Sequence, residues 1–232
     1  LYFTTRRYEQ AVEVALGFLS PVGVDWSLHP TEAEVRNEYE EMHRQLSVRA
    51  MEDLVKLPAM SDPTVIATMA VLTELFPAAY AVDRYLLELV LLRMANLSLR
   101  HGNHESSSVA YSALNMALGS HFSAYGTAYR LGQIACDLVD RRGMDRYKAR
   151  VHCCFAAFAM PWVQPVSRCL ALLRTSFLDS LSVGDAGFAA YTSSNLLTHL
   201  LVSGQPLDQV QQEIERTLAF VRGVELGMEA ER

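Results

Sequence analysis

No stretch of this 232-residue sequence alternates apolar and polar residues at period two for long enough to make a strand, which argues against a sheet-based fold. Cysteine is scarce. Cys136, Cys153, Cys154 and Cys169 all fall in segments that read as helix. Four thiols in a large helical chain do not make a disulfide framework, so reduced thiols in a cytoplasmic protein are expected. The 20 Lys and Arg residues are scattered and outnumbered by 26 acidic ones. With no basic stripe interleaved with aromatics, nucleic acid is not an expected partner. No basic-then-apolar leader opens the chain. The longest apolar run, Val65 to Val82, is broken by Thr68, Thr73, Glu74 and Pro77. It reads as a buried core helix, and no membrane partner is expected.

Catalytic signatures are missing as well. There is no G-x-S-x-G elbow, no G-x-x-x-x-G-K-[ST] phosphate loop, and no D-D-x-x-D or E-x-x-H set of the kind all-α metalloenzymes carry. Ser106, Ser107 and Ser108 sit in a first helical turn, where serine serves as a cap. His101, His104 and Glu105 straddle Gly102, so the two imidazoles leave the turn from different backbone geometries. Within His152-Cys153-Cys154, successive side chains point about 100° apart and do not converge on one ion. No metal, no cofactor and no enzymatic activity are expected.

What the sequence does carry is a period. Gly102, Gly143, Gly184 and Gly223 recur about every 40 residues, each closing an amphipathic stretch as a C′ glycine would. Each interval is broken near its middle, at Gly119-Ser120, Met160-Pro161 and Ser203-Gly204. The expected fold is therefore all-α, an α-solenoid of antiparallel hairpins within a single 1–232 domain. Residues 1–102 form an irregular N-terminal part. Residues 103–223 form three hairpins: 104–119 with 122–142, 145–160 with 165–183, and 185–203 with 206–222.

Upstream, residues 6–19 repeat Tyr8, Ala11, Val12, Ala15, Leu16 and Leu19 at helical steps. Thr31 with Glu34 makes a capping box, opening a helix to about Leu46. On that helix Arg36, Glu38, Glu40, Glu41 and Arg44 are expected to form a solvated face, with Val35, Tyr39, Met42 and Leu46 behind it. A short helix follows over about 49–55. Asp62-Pro63 starts a helix running toward Phe76-Pro77, and Asp83 caps one whose body is apolar on almost every side.

If the first helix of each hairpin lines a concave face, Tyr111, Asn115, His152, Tyr191, Asn195 and His199 are candidate groove residues. The alternative is that Asn115, Asn195 and His199 bond backbone at repeat junctions. Trp162, between Pro161 and Pro165, either covers a hairpin end or anchors an interface. Both ends read as cut, which makes the chain a fragment of a longer protein. The 6–19 helix then needs a cover, from the chain's own next helices or from a second copy in a homodimer.

Residues 7–11, Arg-Tyr-Glu-Gln-Ala, resemble the second helix of a tetratricopeptide repeat. The stretches GVDWSLHPTEAEVRNEY, LVKLPAMSDPTVIATMAVLTELFPAAY, LLRMANLSLRHGN, AYGTAYRLGQIACDLVDR and LLVSGQPLDQVQQEIERTLAFV resemble the helical region of large bacterial signalling proteins. In those proteins a serine/threonine-kinase-like domain and an AAA-type ATPase precede the region, with a GAF domain and often a sensor histidine kinase after it. The resemblance implies a non-catalytic, tetratricopeptide-like segment whose partners are the ATPase, GAF and kinase domains of the same polypeptide. It brings no catalytic residues with it. Where the family turn reads N-H-W-[RK]-x-P, this chain keeps Trp162 and Pro165 but has Ala159-Met160-Pro161 in place of the polar lead-in. The competing expectation is an effector-sensing solenoid of an ATPase-linked transcription regulator.

Overall fold

The structure is a computed structural model in which residues 7–141 and 143–230 are described. Among them the chain is all-α, with eleven α-helices and no strand. The one element of sheet-type pairing is an isolated bridge between Ala59 and Asn103. The chain divides into two compact units, one ending at Tyr147 and the other starting at Lys148. That boundary falls just inside the second expected hairpin, 145–160 with 165–183.

In the first unit, α1 (Tyr8–Leu19) lays Val12 and Leu19, both wholly buried, against α3 (Pro63–Val82). The chain's own helix thus covers Val12 and Leu19, while Ala11, Ala15 and Leu16 stay half-buried. The capping box before α2 (Glu32–Ser47) forms as expected. Thr31 Oγ1 accepts from the Glu34 amide, and the Thr31 amide donates to Glu34 Oε2 at 2.7 Å. Asp62 caps α3 by accepting from the amides of Thr64 and Val65. α3 does not stop at Pro77. Leu75, Phe76, Ala78 and Ala79 around it are all buried, and their burial outweighs the roughly 3 kcal/mol that an interior proline costs. By length and composition α3 is apolar enough to cross a membrane, yet half of that window is buried inside the protein.

Asp83 caps α4 (Arg84–His101), accepting from the amides of Tyr85 and Leu86. α4 packs between α2 and α3 and also touches α5 (Glu105–Ala113). α5 and the single turn α6 (Asn115–Leu118) pair with α7 (Tyr125–Arg141), which makes the first hairpin. Short 3-10 turns at Ser20–Val22, Met51–Lys56 and Asp145–Tyr147 fill the connections, the second of them where a short helix was expected.

Gly102 does more than cap α4. Its φ of +95° turns the chain so tightly that a Cβ there would lie 2.2 Å from the Pro58 carbonyl oxygen. The close approach lets the Asn103 amide donate to Pro58 O at 2.8 Å and the Met60 amide donate to Asn103 O at 2.9 Å.

In the second unit, α8 (Lys148–Cys154) runs into a π-helical turn at Phe155–Ala159 and a 3-10 turn at Met160–Trp162. Pro161 has no N–H to offer the preceding turn, so the helix widens before it ends. α9 (Val166–Ser182) returns against it, α10 (Ala186–Val202) packs on α9, and α11 (Leu207–Ala230) on α10. Leu170, Leu173, Leu196, Leu200 and Val210 form the core with Ala156 and Ala157. Gly102, Gly143 and Gly184 follow helix ends with positive φ, as the repeat reading requires. Gly223 does not, because it lies inside α11. An interior glycine costs a helix only about 1 kcal/mol relative to alanine, too little to end one by itself.

Candidate functional site

The densest polar chemistry lies on the α2–α4 seam. The Glu38 carboxylate pairs with Arg93, whose Nε lies 2.9 Å away, and accepts from Asn96 Nδ2 at 2.9 Å, while Gln45 Nε2 donates to Asn96 Oδ1 at 2.7 Å. Arg93 also lies over the Trp26 ring, 5.6 Å from its centroid. Glu41 takes Arg100 from α4 and Arg44 from its own helix, and these hydrogen bonds hold its carboxyl below the usual carboxylate range. The expected solvated face is thus divided. Arg36, Glu40 and Arg44 are exposed, but Glu38 and Glu41 turn inward to satisfy α4.

One turn along, Glu88 is wholly buried, yet it has both an arginine and a histidine. Arg84 Nε lies 2.8 Å from one carboxylate oxygen, and His121 Nδ1 lies 2.7 Å from the other. The far nitrogen of His121 is 3.4 Å from Glu32 of α2, and its ring stacks on Phe122, which stacks on Tyr39. This cluster ties the turn after α6 to α2 and α4. Among the described residues no three His, Cys, Asp or Glu side chains are grouped so as to hold a metal ion.

The candidate groove residues do not form one site. Tyr111 is wholly buried, its hydroxyl donating to Asn103 Oδ1 at 3.4 Å, and burial pushes the phenol well above its ordinary value. Asn115 is buried at the start of α6, its Oδ1 held against Gly119, where a Cβ would come within 2.6 Å. His152 is buried in α8. These three belong to cores, so the groove reading is corrected for them: side chains closed off from solvent have no surface to offer. Asn195 Nδ2 donates to Tyr191 O at 2.9 Å and His199 Nδ1 to Asn195 O at 2.8 Å. Both bond backbone, but one turn back in their own helix and not across a repeat junction. Tyr191 and Trp162 do reach the surface, with Trp162 61% exposed beyond the π turn.

Tyr191 opens onto a feature the sequence reading missed, a trough of about 410 Å³ between α10 and α11. Gly187, Ala190, Ser194 and Leu197 line one wall with it, and Thr217 and Leu218 the other. The signal was present in the sequence: from Ala186 to Val202 there is no Asp, Glu, Lys or Arg. A helix without a charged face is ordinarily covered on every side. Here Phe188, Ala189, Thr192, Leu196, His199 and Leu200 are buried, while on the opposite side Gly187, Ser194 and Leu201 are exposed and Ala190, Tyr191 and Leu197 half-buried.

In an alignment of 230 residues that covers 91% of the chain, the chain is 23% identical to hybrid signal transduction histidine kinase G of Dictyostelium discoideum. It is related to part of a signalling protein. The matched stretch covers 7% of the Dictyostelium protein, so the chain spans a small fraction of its relative's length. No family model and no solved structure matches the chain.

Proposed function

We propose that this chain is a non-catalytic helical-repeat segment of a cytoplasmic signal-transduction protein of the sensor-kinase type. It acts as an interdomain scaffold, its hairpins stacked as degenerate tetratricopeptide-like repeats of the α-solenoid class. The observation that carries the reading is the similarity to a hybrid histidine kinase along nearly the whole chain. The polar chemistry agrees with it. The α2–α4 ion pairs and the Glu88–His121 contact join helices to one another. The partners are the ATPase, GAF and kinase modules of the same polypeptide. Helices linked by nearest-neighbour packing transmit a displacement at one end as a shift at the other.

Two measurements test this. The purified chain is expected neither to hydrolyse ATP nor to autophosphorylate, and turnover that co-purifies with it through successive steps would refute the non-catalytic reading. In the full signalling polypeptide, exchanging the segment for a flexible linker is expected to uncouple input from kinase output while leaving basal kinase activity intact. Unaltered coupling would refute the scaffold reading.

A further inference from the structure

The turn over residues 119–124, between α6 and α7, is tied down on both sides. Ser123 has a φ of +54°, and no other non-glycine among the described residues has a positive φ. A left-handed serine persists only where its surroundings hold it. The holding groups are its neighbours. Phe122 stacks on Tyr39 of α2 with ring centroids 3.7 Å apart, and His121 stacks on Phe122 at 4.4 Å. Around the imidazole, α4 supplies Glu88, Arg84 and Tyr85, and α2 supplies Glu32, Arg36 and Tyr39. Both ring nitrogens of His121 face a carboxylate, Nδ1 that of Glu88 at 2.7 Å and Nε2 that of Glu32 at 3.4 Å. A carboxylate only accepts, so the arrangement is complete when each nitrogen carries a proton.

We propose that this turn is a proton-controlled latch between α2 and α4, and that it releases on one side only. With two ring protons His121 ties both helices. With one, it keeps α4 and lets go of α2. The direction follows from how differently the two carboxylates are placed. Glu88 is wholly buried, and each of its oxygens has one donor, Arg84 Nε at 2.8 Å and His121 Nδ1. Withdrawing the Nδ1 proton would leave a buried carboxylate oxygen without a donor, the costly outcome. Glu32 is 51% exposed and keeps Arg36 at 3.0 Å as well as solvent, so it gives up the imidazole cheaply. The remaining proton therefore stays on Nδ1, and Nε2 turns a lone pair toward Glu32. Hydrogen bonds from Arg36 and then from His121 hold the Glu32 carboxyl below its usual range, which is the same tie felt from the α2 side. Because the tie needs the protonated ring, it is present on the acid side of the range in which imidazoles titrate and is lost as pH rises through it. The latch goes beyond the scaffold reading and does not depend on it.

Nitrogen-15 spectra of the histidine rings in the 232-residue chain test this at about pH 5.5 and about pH 8.5, either side of the imidazole range. His121 is expected to carry both protons at the lower pH and only the Nδ1 proton at the higher, the reverse of the tautomer that free neutral histidine prefers. An Nε2–H tautomer at the higher pH overturns the one-sided release, and a ring that is neutral at both overturns the latch. A double-mutant cycle between His121→Gln and Glu32→Gln, followed by urea denaturation, gives a second reading. His121→Gln keeps a donor for Glu88, and Glu32→Gln alters an exposed side chain, so both variants are expected to fold. Their coupling is expected to be about threefold in the unfolding constant at the lower pH and to vanish at the higher. Coupling of equal size at both values, or none at either, overturns the latch.

Discussion

Helices α4 and α10 are both sparing with solvated surface, and the protein completes only the first. α4 is enclosed by α2, α3 and α5, and each of its acidic or basic groups at Arg84, Glu88, Arg93 and Arg100 has a partner within the first unit. α10 has no such groups and is covered on one side. The difference shows two ways to write a buried helix. One uses charge to fix which neighbour docks and in what register. The other uses shape alone and leaves the choice of neighbour to packing.

The largest effect expected from this contrast comes from one substitution made in each helix. Leu92→Ala, at a wholly buried position of α4, is expected to cost about 3 kcal/mol. Leu201→Ala, on the open end of α10, should stay within about 0.5 kcal/mol. Urea denaturation measures both, and equal losses would erase the distinction. Next in size is Gly102→Ala, which drives a methyl group into the Pro58 carbonyl at a positive φ and is expected to cost about 2–3 kcal/mol. Hydrogen exchange should then locate the damage at the amides of Met60 and Asn103. If exchange there stays slow, the close approach is not what pins this turn.

Paired histidine variants sharpen the comparison further. His121→Ala leaves the buried Glu88 with Arg84 alone and is expected to cost about 2 kcal/mol, whereas His199→Ala breaks a bond internal to its own helix and should cost under about 1 kcal/mol. The reverse order in thermal melts would mean that α10 is the more tightly enclosed helix.

The smallest effect is a pH dependence beside the C-terminus of α4. His104 Nδ1 accepts from the Ser106 amide at the start of α5, and burial, aided by Arg146, lowers the imidazole below its ordinary 6.5. The group therefore adds stability that is complete above 6.5 and lost as pH falls through the lowered folded value, where the unfolded chain already binds the proton. Losing the cap should cost under about 1 kcal/mol. His104→Ser is expected to flatten that part of the stability profile, and an unchanged profile would assign the acid sensitivity to another group.

Local chemistry was legible in the sequence wherever a residue acts on its own backbone. Thr31, Asp62 and Asp83 cap the helices they were read to cap, because a side-chain oxygen meets amides two or three residues away. Tertiary use was not legible in the same way. The charges of α2 point to solvent in a helical projection, and only the approach of α4 turns Glu38 and Glu41 inward. Tyr111, Asn115 and His152 look like groove residues because polarity at helical spacing does not reveal which face is enclosed. Gly223 fits the period by position, but no loop follows it to make use of a cap. The trough side of α10 was legible in principle, as a helix with no charge at all.

The adjacent thiols at the α8–π junction give the second unit a chemical clock. Burial pushes Cys153 up to about 11 and raises Cys154 as well, so in the closed state neither supplies thiolate to an alkylating reagent. Their modification rate is then the frequency with which the surrounding helices part, multiplied by the reactivity of an ordinary thiol. A reagent in solution would record, cysteine by cysteine, how often the core around the α8–π junction opens.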